Sequence, residues 1–428
     1  MPESQLINEY GPEPTNYYGA SFLNRLSFLR DDYKFLHKAF NHPSTQFLIL
    51  DNLTPPVAAL PEQPPAQDGV KRRDPKHTLK FLTLEGTPEL AQFLDSPYEL
   101  DEPAQIAAWN ATTGTLKPVL VFLGIDESAK NESGVLEYKK EHDNVTDGYR
   151  GRAYFAVDLT AANLKLPELA ERAKLILKTS KELEGAEFLN ALFGIRLSHQ
   201  ESGVLAQAKM YIDWNNRNRF CGGCGKPTMS VNGGTKLTCP PTDSGTEQPP
   251  CPTRGRISNL SFPRTDTSII AIVVSYDGKE ILLGRSRRFP KGFYSCLAGF
   301  LEPAETIEDC VRREIWEESG VTVGRVVVHS TQPWPYPANI MIGCVAQVAS
   351  AAPEHHSIHL GHDPELEDAR WYKIEDLRRD RVLDYAYNSA GLHERPADLP
   401  DHCPQLPPPE AVAFNLIDSV VSGHIRGF

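Results

Sequence analysis

Residues 299–321 (GFLEPAETIEDCVRREIWEESGV) constrain the fold of this chain more than any other stretch. Pro303 precludes a regular helix before it, and Thr306 and Asp309 have the spacing of a pair that caps a helix N-terminus. Gly320 can end the helix by adopting a left-handed conformation. The stretch therefore predicts a loop followed by one helix that begins after Thr306 and ends at Gly320.

The predicted helix has two faces of opposite character. An apolar face is formed by residues at a spacing of four, Ile307, Val311 and Ile315. Three carboxylates at i, i+3 and i+4 share another face, Glu314, Glu317 and Glu318. Like charges at this spacing destabilise a bare helix by about 0.2–0.5 kcal/mol per pair. We therefore expect a compensating partner, for which divalent cations that prefer oxygen ligands are suited.

The composition limits the class of protein. A chain of 428 residues is long enough for two or three domains. Its net charge of −12 argues against a passive nucleic-acid coat, although a local basic pocket for a dinucleotide is compatible with it. No apolar run approaches the roughly 20 residues of a membrane span, and neither a signal peptide nor a C-terminal S-K-L address is recognisable. We expect a protein that does not associate with membranes.

Four of the eight cysteines have the spacing of a zinc site. Cys221-x2-Cys224 in a Gly-rich knuckle is a strong half-site, and Cys239 and Cys251 are the only nearby cysteines that can complete it. This pattern predicts a structural four-cysteine zinc ribbon. The alternatives are reduced, unliganded thiols, or a redox Cys-x2-Cys that would leave the second pair unexplained.

The sequence before the zinc ribbon indicates a mixed α/β domain without a recognisable chemical motif. Residues 54–76 are rich in proline and charge and are interpreted as a surface insertion. Helical patterns cover residues 167–183, 186–199 and 203–218, and the last leads into the cysteines.

Residues 332–337 (QPWPYP) point to the binding of a planar ligand. Three prolines at alternate positions fix an extended backbone and present Trp334 and Tyr336 with little conformational entropy left to lose. Stacking of such rings on a base contributes about 1–3 kcal/mol each. The alternatives are a proline-rich peptide ligand or a rigid turn.

These motifs together resemble a known family. Residues 299–321 match the Nudix box at every defined position, which a solvated acidic helix with ordinary Glu–Arg pairs would rarely reproduce. Residues 331–339 (TQPWPYPAN) are similar to the SQPWPFPxS motif of the NADH pyrophosphatases, a Nudix subfamily with a four-cysteine zinc ribbon. The resemblance covers roughly residues 205–428. Phe262 stands where that subfamily usually has the Tyr of a YPR motif.

The resemblance implies an α+β protein. It places an N-terminal α/β domain at residues 1–203, a helix with a zinc ribbon at 204–260, and a Nudix α/β/α sandwich at 261–428. It also implies a homodimer located in the cytoplasm or in peroxisomes.

The implied activity is hydrolysis of the pyrophosphate bond of NADH, and more weakly NAD⁺, to NMNH or NMN plus AMP, with Mg²⁺ or Mn²⁺. Removal of NAD caps from RNA 5′ ends, or a broader activity on ADP-ribose or dinucleoside polyphosphates, are the alternatives. Carried over by position, the metal ligands are the Ala298 carbonyl, Glu314, Glu317, Glu318 and Glu365. One of Glu317, Glu318 and Glu365 is expected to be the general base.

The remaining implied site residues fall into two groups. Arg313 is expected to pair with Glu305 and so orient the loop. The implied substrate-binding residues are Phe262, Gln332, Pro333, Trp334, Pro335, Tyr336, Pro337, Ala338, Asn339 and Ala413.

Overall fold

The computed structural model describes residues 16–425 except for 62–73, 96, 115, 141–147, 190–195, 255–259, 262, 264, 363–364, 379–382 and 384–402. Residue contacts divide the chain into two compact units. The N-terminal unit consists of residues 21–62 and 75–264, and the C-terminal unit consists of residues 1–20, 63–74 and 265–428. The domain bounds 1–203, 204–260 and 261–428 remain a prediction from the sequence.

The N-terminal unit is built around a small mixed sheet. Before the zinc ribbon, the N-terminal unit contains seven described strands: β1 (Gln46–Leu50), β2 (Pro56–Ala59), β3 (His77–Leu79), β4 (Leu120–Asp126), β5 (Leu136–Tyr138), β6 (Tyr149–Asp158) and β7 (Glu187–Phe188). Strands β2, β3 and β7 form a separate sheet of the order β3-β2-β7. The helices of this region are α1 (Tyr33–Asn41), α2 (Pro88–Leu94), α3 (Glu102–Ala107), α4 (Ala111–Gly114) and α5 (Pro167–Thr179). The main sheet has the order β1-β6-β4, with β5 also paired to β6.

Aromatic packing forms the core of this sheet. Strand β1 runs parallel to β6, and β4 runs antiparallel to it. Phe47, Phe122 and Phe155 on these strands are fully buried. Asp32 begins α1 by accepting hydrogen bonds from the Lys34 and Phe35 amides, which directs the apolar face of α1 onto the same core.

The helix predicted at 186–199 is wrong for its first residues. Residues 187–188 form β7, which pairs antiparallel with Pro56 and Val57. Gly185, in a left-handed conformation with φ of 72°, ends the preceding helical turn. Pairing with a strand that is more than 100 residues away in sequence therefore overrides the local helical pattern. Residues 190–195 of this prediction lie outside the described residues.

A long helix and the zinc ribbon complete this unit. They comprise α6 (His199–Arg217), β8 (Met229–Val231), β9 (Lys236–Thr238), β10 (Thr242–Asp243), β11 (Thr246–Glu247) and β12 (Leu260–Ser261). The Ser198 side chain begins α6 by accepting a hydrogen bond from the Glu201 amide at 3.2 Å. Further along, Asn215 Nδ2 donates to Gly234 O at 2.9 Å and thus ties α6 to the ribbon.

The tight turn between β8 and β9 packs directly on β4. The Phe122 amide donates to Gly233 O at 2.7 Å. Gly234 has a φ of 84°, and a Cβ at this position would overlap the Leu120 carbonyl. Only glycine therefore fits both the backbone conformation and the close approach to β4.

We expect Gly234→Ala to destabilise the N-terminal unit more than Gly245→Ala does. Both glycines have a positive φ, so each substitution incurs the cost of about 1–2 kcal/mol for a left-handed L-residue. Only at Gly234 does the methyl group collide with backbone, which adds about 1–3 kcal/mol. Free energies of unfolding from denaturant titration test this difference, and equal losses for the two variants would contradict it.

The C-terminal unit is an α/β/α sandwich. Its elements are β13 (Asp266–Val274), β14 (Glu280–Ser286), β15 (Leu297–Phe300), α7 (Ile307–Ser319), β16 (Val323–Trp334), β17 (Asn339–Val348), α8 (Pro353–His356), β18 (Leu366–Lys373) and α9 (Val412–Val421). The sheet has the order β16-β17-β13-β14-β18, and β15 also pairs with β13. β13 and β17 run parallel, and the other pairs run antiparallel.

Alternation along β13 generates the two outer layers. Ile269, Ala271 and Val273 belong to the core cluster that contains residues of α7. The intervening residues of the same strand belong to the cluster that contains residues of α9. Because successive strand residues point to opposite faces, one central strand supports a helix on each side. The predicted α+β class and the α/β/α sandwich in the C-terminal part of the chain are confirmed.

Among the residues that the structure describes, no helix is both long enough and apolar enough to cross a lipid bilayer.

Candidate active site and zinc site

Helix α7 begins and ends as the sequence predicts. Thr306 Oγ1 accepts a hydrogen bond from the Asp309 amide at 3.2 Å. Gly320 has a φ of 75°, and its amide donates to Trp316 O at 2.8 Å. These caps fix the rotation of the helix, so that Val311 and Ile315 are fully buried in the core of the sandwich.

One guanidinium group connects the loop, the strand β15 and the helix. Arg313 Nε and Nη2 donate to the two carboxylate oxygens of Glu305 at 2.7 and 2.9 Å. Its Nη2 also donates to Phe300 O at 2.9 Å. Arg313 Nη1 donates to Glu314 Oε1 at 2.8 Å and to Glu317 Oε2 at 3.0 Å. The predicted Arg313–Glu305 pair is therefore present as a bidentate ion pair, which lowers the pKa of Glu305 to about 2.

Glu314 lies against the backbone of Gly299. A Cβ at Gly299 would overlap the Glu314 carboxylate, so a glycine is needed for this approach. Burial raises the pKa of Glu314, and the charges of Glu317 and Glu365 raise it further, whereas Arg313 opposes these effects. The negative charge of Glu365, which lies just before β18, therefore acts on the same carboxylate as that of Glu317.

The carboxylates are suited to hold a divalent cation. Glu318 is only 5% exposed, and the partly buried Glu314 experiences the negative charges of Glu317 and Glu365 in addition to the positive charge of Arg313. A hard cation with a preference for oxygen ligands would relieve this repulsion. Ala298, the predicted carbonyl ligand, lies in β15 opposite Ile270. Within the described ranges, however, only the four ribbon cysteines bring three or more ligand atoms within 4.8 Å of one another.

The four cysteines converge as a zinc site requires. The sulfur atoms of Cys221, Cys224, Cys239 and Cys251 all lie within 4.8 Å of one another. The Cys221–Cys251 and Cys224–Cys239 sulfur pairs are 3.7 and 3.6 Å apart. A tetrahedron with Zn–S bonds of about 2.3 Å has edges of about 3.8 Å. The residues therefore fit a structural Zn²⁺ with no open coordination position.

Local hydrogen bonds position Cys221 and Cys251 of this cluster. The Gly225 amide donates to Cys221 O at 2.8 Å, and the Cys221 amide donates to Lys226 O at 2.7 Å, which closes the knuckle. The Thr253 hydroxyl lies 3.0 Å from the Cys251 sulfur and lowers the pKa of this thiol to about 6. This shift favours the thiolate form that binds zinc.

Gln332, a predicted substrate-binding residue, is completely buried inside the C-terminal unit. Its Nε2 donates to Tyr17 O at 2.9 Å and to Glu410 O at 2.8 Å. Its Oε1 accepts a hydrogen bond from the Val412 amide at 2.9 Å. The Gln332 amide thus connects residues near the chain start, the end of β16 and the start of α9.

The other residues of the aromatic motif are also packed within the unit. Trp334 and Tyr336 form an edge-to-face pair with a centroid separation of 5.4 Å. Tyr18 packs edge-on against both rings at 6.2 Å, and its hydroxyl lies 3.1 Å from that of Tyr336. Asn339 Nδ2 donates to Ser268 Oγ at 2.9 Å.

Residues 335–338 form the turn between β16 and β17, so the predicted extended backbone is wrong beyond Trp334. The chain reverses there because Trp334 pairs with Asn339 of the neighbouring strand. The rings of this segment form an aromatic cluster whose edges already have partners.

Of four further predicted positions, three are described and differ in their burial. Ala413, at the start of α9, is buried, and its carbonyl lies 3.7 Å from the Cys296 sulfur. Pro335 is buried and Pro337 is exposed. Phe262 lies outside the described residues.

Sequence reasoning missed Phe300. Its side chain is 59% exposed, directly after Gly299 and bound to Arg313 through its carbonyl. An exposed aromatic ring on a residue whose carbonyl is held by the arginine of the carboxylate helix is a candidate for stacking on a planar substrate. The available signal was a large apolar residue at the point where the chain leaves β15 for the loop.

Comparison with known proteins identifies both motifs. A model described as "NUDIX domain" matches residues 265–390, and one described as "NADH pyrophosphatase zinc ribbon domain" matches residues 216–244. A "NAD-capped RNA hydrolase" of Schizosaccharomyces pombe is 34% identical over 95% of this chain and 93% of its own length. The chain belongs to the zinc-ribbon Nudix hydrolases. It shares 33% identity with human "NAD-capped RNA hydrolase NUDT12", over 89% of this chain and 69% of that protein.

A further relative covers nearly the whole of this Nudix hydrolase. "NAD-capped RNA hydrolase NPY1" of Saccharomyces cerevisiae is 30% identical over 95% of this chain and 96% of its own length. The resemblance drawn from the sequence is therefore confirmed. The zinc ribbon match ends at residue 244, before Cys251, so the fourth thiolate is identified here by its position in the cluster.

The Glu305–Arg313 pair of this Nudix hydrolase should make its stability depend on acid. The pKa of Glu305 falls from the usual 4.5 to about 2 in the folded protein. Its contribution is therefore present above pH 4.5 and is lost as the pH falls toward 2. We expect Glu305→Gln to unfold more readily than the wild type at pH 7, with a difference that shrinks between pH 4.5 and 2.

Denaturant unfolding at a series of pH values measures this difference. Glu308→Gln, which alters an exposed glutamate in the first turn of α7, provides the matched control and should follow the wild type. A constant difference between wild type and Glu305→Gln across this pH range would contradict the assignment.

Proposed function

We propose that this Nudix hydrolase cleaves the pyrophosphate bond of NADH and NAD⁺, releasing NMNH or NMN together with AMP. The main support is the carboxylate face of α7. Arg313 binds Glu314 and Glu317 on this face, and Glu314 packs against Gly299. The zinc ribbon match and the names of the relatives support a nicotinamide dinucleotide as the substrate.

Mg²⁺ or Mn²⁺ is the proposed cofactor. The residues that would hold it are Ala298, through its carbonyl, and Glu314, Glu317, Glu318 and Glu365. When bound, such a cation neutralises charge on the pyrophosphate and lowers the pKa of coordinated water. Arg313 keeps Glu314 and Glu317 oriented while Glu305 holds the guanidinium from the other side.

The chain itself must accept the proton of the attacking water. Glu317, Glu318 and Glu365 remain the candidates for the general base. Glu318 is the first to test because it is the most buried, with 5% exposure, whereas Glu365 is exposed and Glu317 is bound to Arg313. A carboxylate that is shielded from bulk water is suited to accept the proton of a water molecule held within the site.

Substrate orientation is proposed to rest on two aromatic features. Phe300 is exposed, its carbonyl is bound by Arg313, and its ring is suited to stack on one of the two rings of the dinucleotide. The cluster of Trp334, Tyr336 and Tyr18, braced by Gln332, would form a rigid wall. Pro333, Pro335, Pro337, Ala338, Asn339, Ala413 and Phe262 stay predicted contributors to this pocket.

Removal of NAD caps from RNA is the second candidate. It breaks the same bond and is favoured by the names of the relatives, all three of which are NAD-capped RNA hydrolases. The net charge of −12 gives little support for extended RNA contacts, because affinity for RNA depends on neutralising phosphates.

A homodimer in the cytoplasm or in peroxisomes remains part of the proposal.

Substitution of the helix carboxylates tests the reaction. We expect Glu318→Gln to reduce kcat for NADH at least about 100-fold, because a general base contributes about 10²–10⁴-fold. Products should be quantified by chromatography with NADH, NAD⁺, ADP-ribose, a diadenosine polyphosphate and NAD-capped RNA at matched concentrations. AMP and NMNH from NADH, at the highest kcat/KM, would support the proposal.

Two results would contradict the proposed NADH hydrolysis. Full NADH hydrolysis by both Glu317→Gln and Glu318→Gln would exclude the proposed mechanism. Faster cleavage of ADP-ribose than of NADH would exclude the proposed substrate. Glu308→Gln, outside the carboxylate face, is the matched control and should retain wild-type kcat.

Phe300→Ala tests the stacking assignment. Loss of a stacked ring costs about 1–3 kcal/mol, so we expect KM for NADH to rise about 5- to 150-fold while kcat changes much less. Tyr276→Ala, a comparably exposed aromatic residue at the β13–β14 turn, serves as the control. Steady-state kinetics that show equal KM values for the two variants would exclude Phe300 as a substrate contact.

A further inference from the structure

Residues 16–19 (NYYG) form a tight turn that belongs to the C-terminal unit, although it precedes the whole N-terminal unit in the sequence. The Gly19 amide closes this N-terminal turn by donating to Asn16 O at 3.0 Å. The three residues before Gly19 are buried, with exposed fractions of only 3–6%. The unit that carries the carboxylate helix therefore includes a segment that lies far from that helix in the sequence.

The Asn16 side chain connects the strand of the aromatic motif with the last described helix. Its Nδ2 donates to Thr331 O at 2.9 Å, and its Oδ1 accepts a hydrogen bond from Asn415 Nδ2 at 2.7 Å. Thr331 directly precedes Gln332 in β16, and Asn415 lies in α9, the helix that contains Ala413. Asn16 thus uses both functional groups of its side-chain amide to hold β16 and α9 together.

Tyr17 and Tyr18 extend these contacts to the aromatic motif itself. Tyr17 O accepts a hydrogen bond from Gln332 Nε2 at 2.9 Å. The Tyr18 hydroxyl lies 3.1 Å from that of Tyr336. The Tyr18 ring packs edge-on against Trp334 and Tyr336, with a centroid separation of 6.2 Å in each case. Both aromatic rings of the motif therefore contact the N-terminal turn.

The backbone of Tyr18 adopts an uncommon conformation in making these contacts. Its φ is 69°, in the left-handed region that is unfavourable for residues other than glycine. Such a conformation persists only where the surrounding structure compensates for its cost. The contacts with Trp334 and Tyr336 provide this compensation, so the fold specifies the position of the Tyr18 ring.

Strand β16 needs such support because it lies at the edge of its sheet. In the part of the chain that the structure describes, β17 is its only neighbouring strand. The register between the two strands is irregular at two places, the second between Val328 and Ser330, so the pairing is disrupted shortly before the motif. The N-terminal turn binds β16 beyond this irregularity, at Thr331 and Gln332. It thus adds contacts that fix the end of β16 where strand pairing alone is weak.

We propose that the N-terminal turn is a positioning element of the active site, in which Asn16 and Tyr18 hold Trp334 and Tyr336 as the surface on which a planar ring of the substrate binds. Its contacts reach this surface and not the carboxylate face to which hydrolysis is assigned. The turn should therefore govern substrate affinity and leave the hydrolytic step largely unchanged. The identity of the substrate rests on the function proposed above, whereas the coupling between the turn and the motif rests on these contacts alone.

Steady-state kinetics of the full chain with Mg²⁺ test this role, with the compound, among those compared above, that is cleaved at the highest kcat/KM. We expect Asn16→Ala to raise KM about 2- to 10-fold, the size expected for the loss of a hydrogen bond, while kcat changes much less. Tyr18→Ala should raise KM further, because both ring contacts are lost. Tyr18→Phe, which keeps the ring and removes only the hydroxyl group, should remain closer to the wild type.

Asn215→Ala is the matched control for these variants. It removes a buried asparagine whose side chain donates two hydrogen bonds within the N-terminal unit, so it should destabilise the protein without raising KM. An unchanged KM in both Asn16→Ala and Tyr18→Ala would overturn the positioning role and leave the proposed function standing. An equal rise of KM in Asn215→Ala would also overturn the role, because it would show a general effect of stability.

Hydrogen exchange of the full chain without substrate provides a readout that does not depend on activity. We expect Asn16→Ala and Tyr18→Ala to accelerate amide exchange in residues 331–339 and to leave the exchange of α7 unchanged. Equal exchange of residues 331–339 in the wild type and both variants would overturn the coupling, and so would an equal acceleration in α7. If the wild type does not hydrolyse NADH but the variants accelerate exchange only in residues 331–339, the proposed function is refuted and the coupling stands.

Discussion

The hydrogen bonds of Arg313 are the constraint on which the proposed active site depends. Three carboxylates share one face of α7, and nothing intrinsic to a helix keeps like charges in place. Arg313 meets Glu314 and Glu317 with one nitrogen and the Glu305 carboxylate with two others. A lysine could not replace it, because only a planar guanidinium presents donors in several fixed directions at once. The same group also holds the carbonyl of Phe300 and thus fixes the loop relative to the helix.

The features that could be predicted from the sequence are those whose causes are local. Thr306, Asp309 and Gly320 specify both ends of α7 because each cap involves residues within one turn. The cysteine knuckle is likewise local, since Cys221 and Cys224 are held by hydrogen bonds within six residues. The layers of the sandwich follow from the apolar β13 and the amphipathic α7, which leave few alternative arrangements.

What could not be predicted depends on distant segments. Gln332 resembles a polar ligand-binding residue, yet its three hydrogen bonds reach Tyr17, Glu410 and Val412, which have no sequence signature in common. Tyr18 similarly covers the edges of Trp334 and Tyr336, more than 300 residues away in the sequence. The alternating prolines predicted an extended backbone, but pairing of Trp334 with Asn339 turns the chain at 335–338, and the sequence could not show that Tyr18 packs against the two rings. Phe300 was not among the predicted site residues, because the exposure of its side chain depends on the folded structure.

The position of the zinc ribbon explains why its metal is structural. Four thiolates leave no open coordination position, and the ribbon belongs to the unit that lacks the carboxylate helix. Its hairpin packs on β4 through Gly233 and Gly234, while Asn215 of α6 binds the same turn. The ribbon therefore contacts both the central sheet and α6. The Phe122 amide of the central sheet donates a hydrogen bond to the Gly233 carbonyl. The β8–β9 turn and the edge strand β4 therefore stabilise each other.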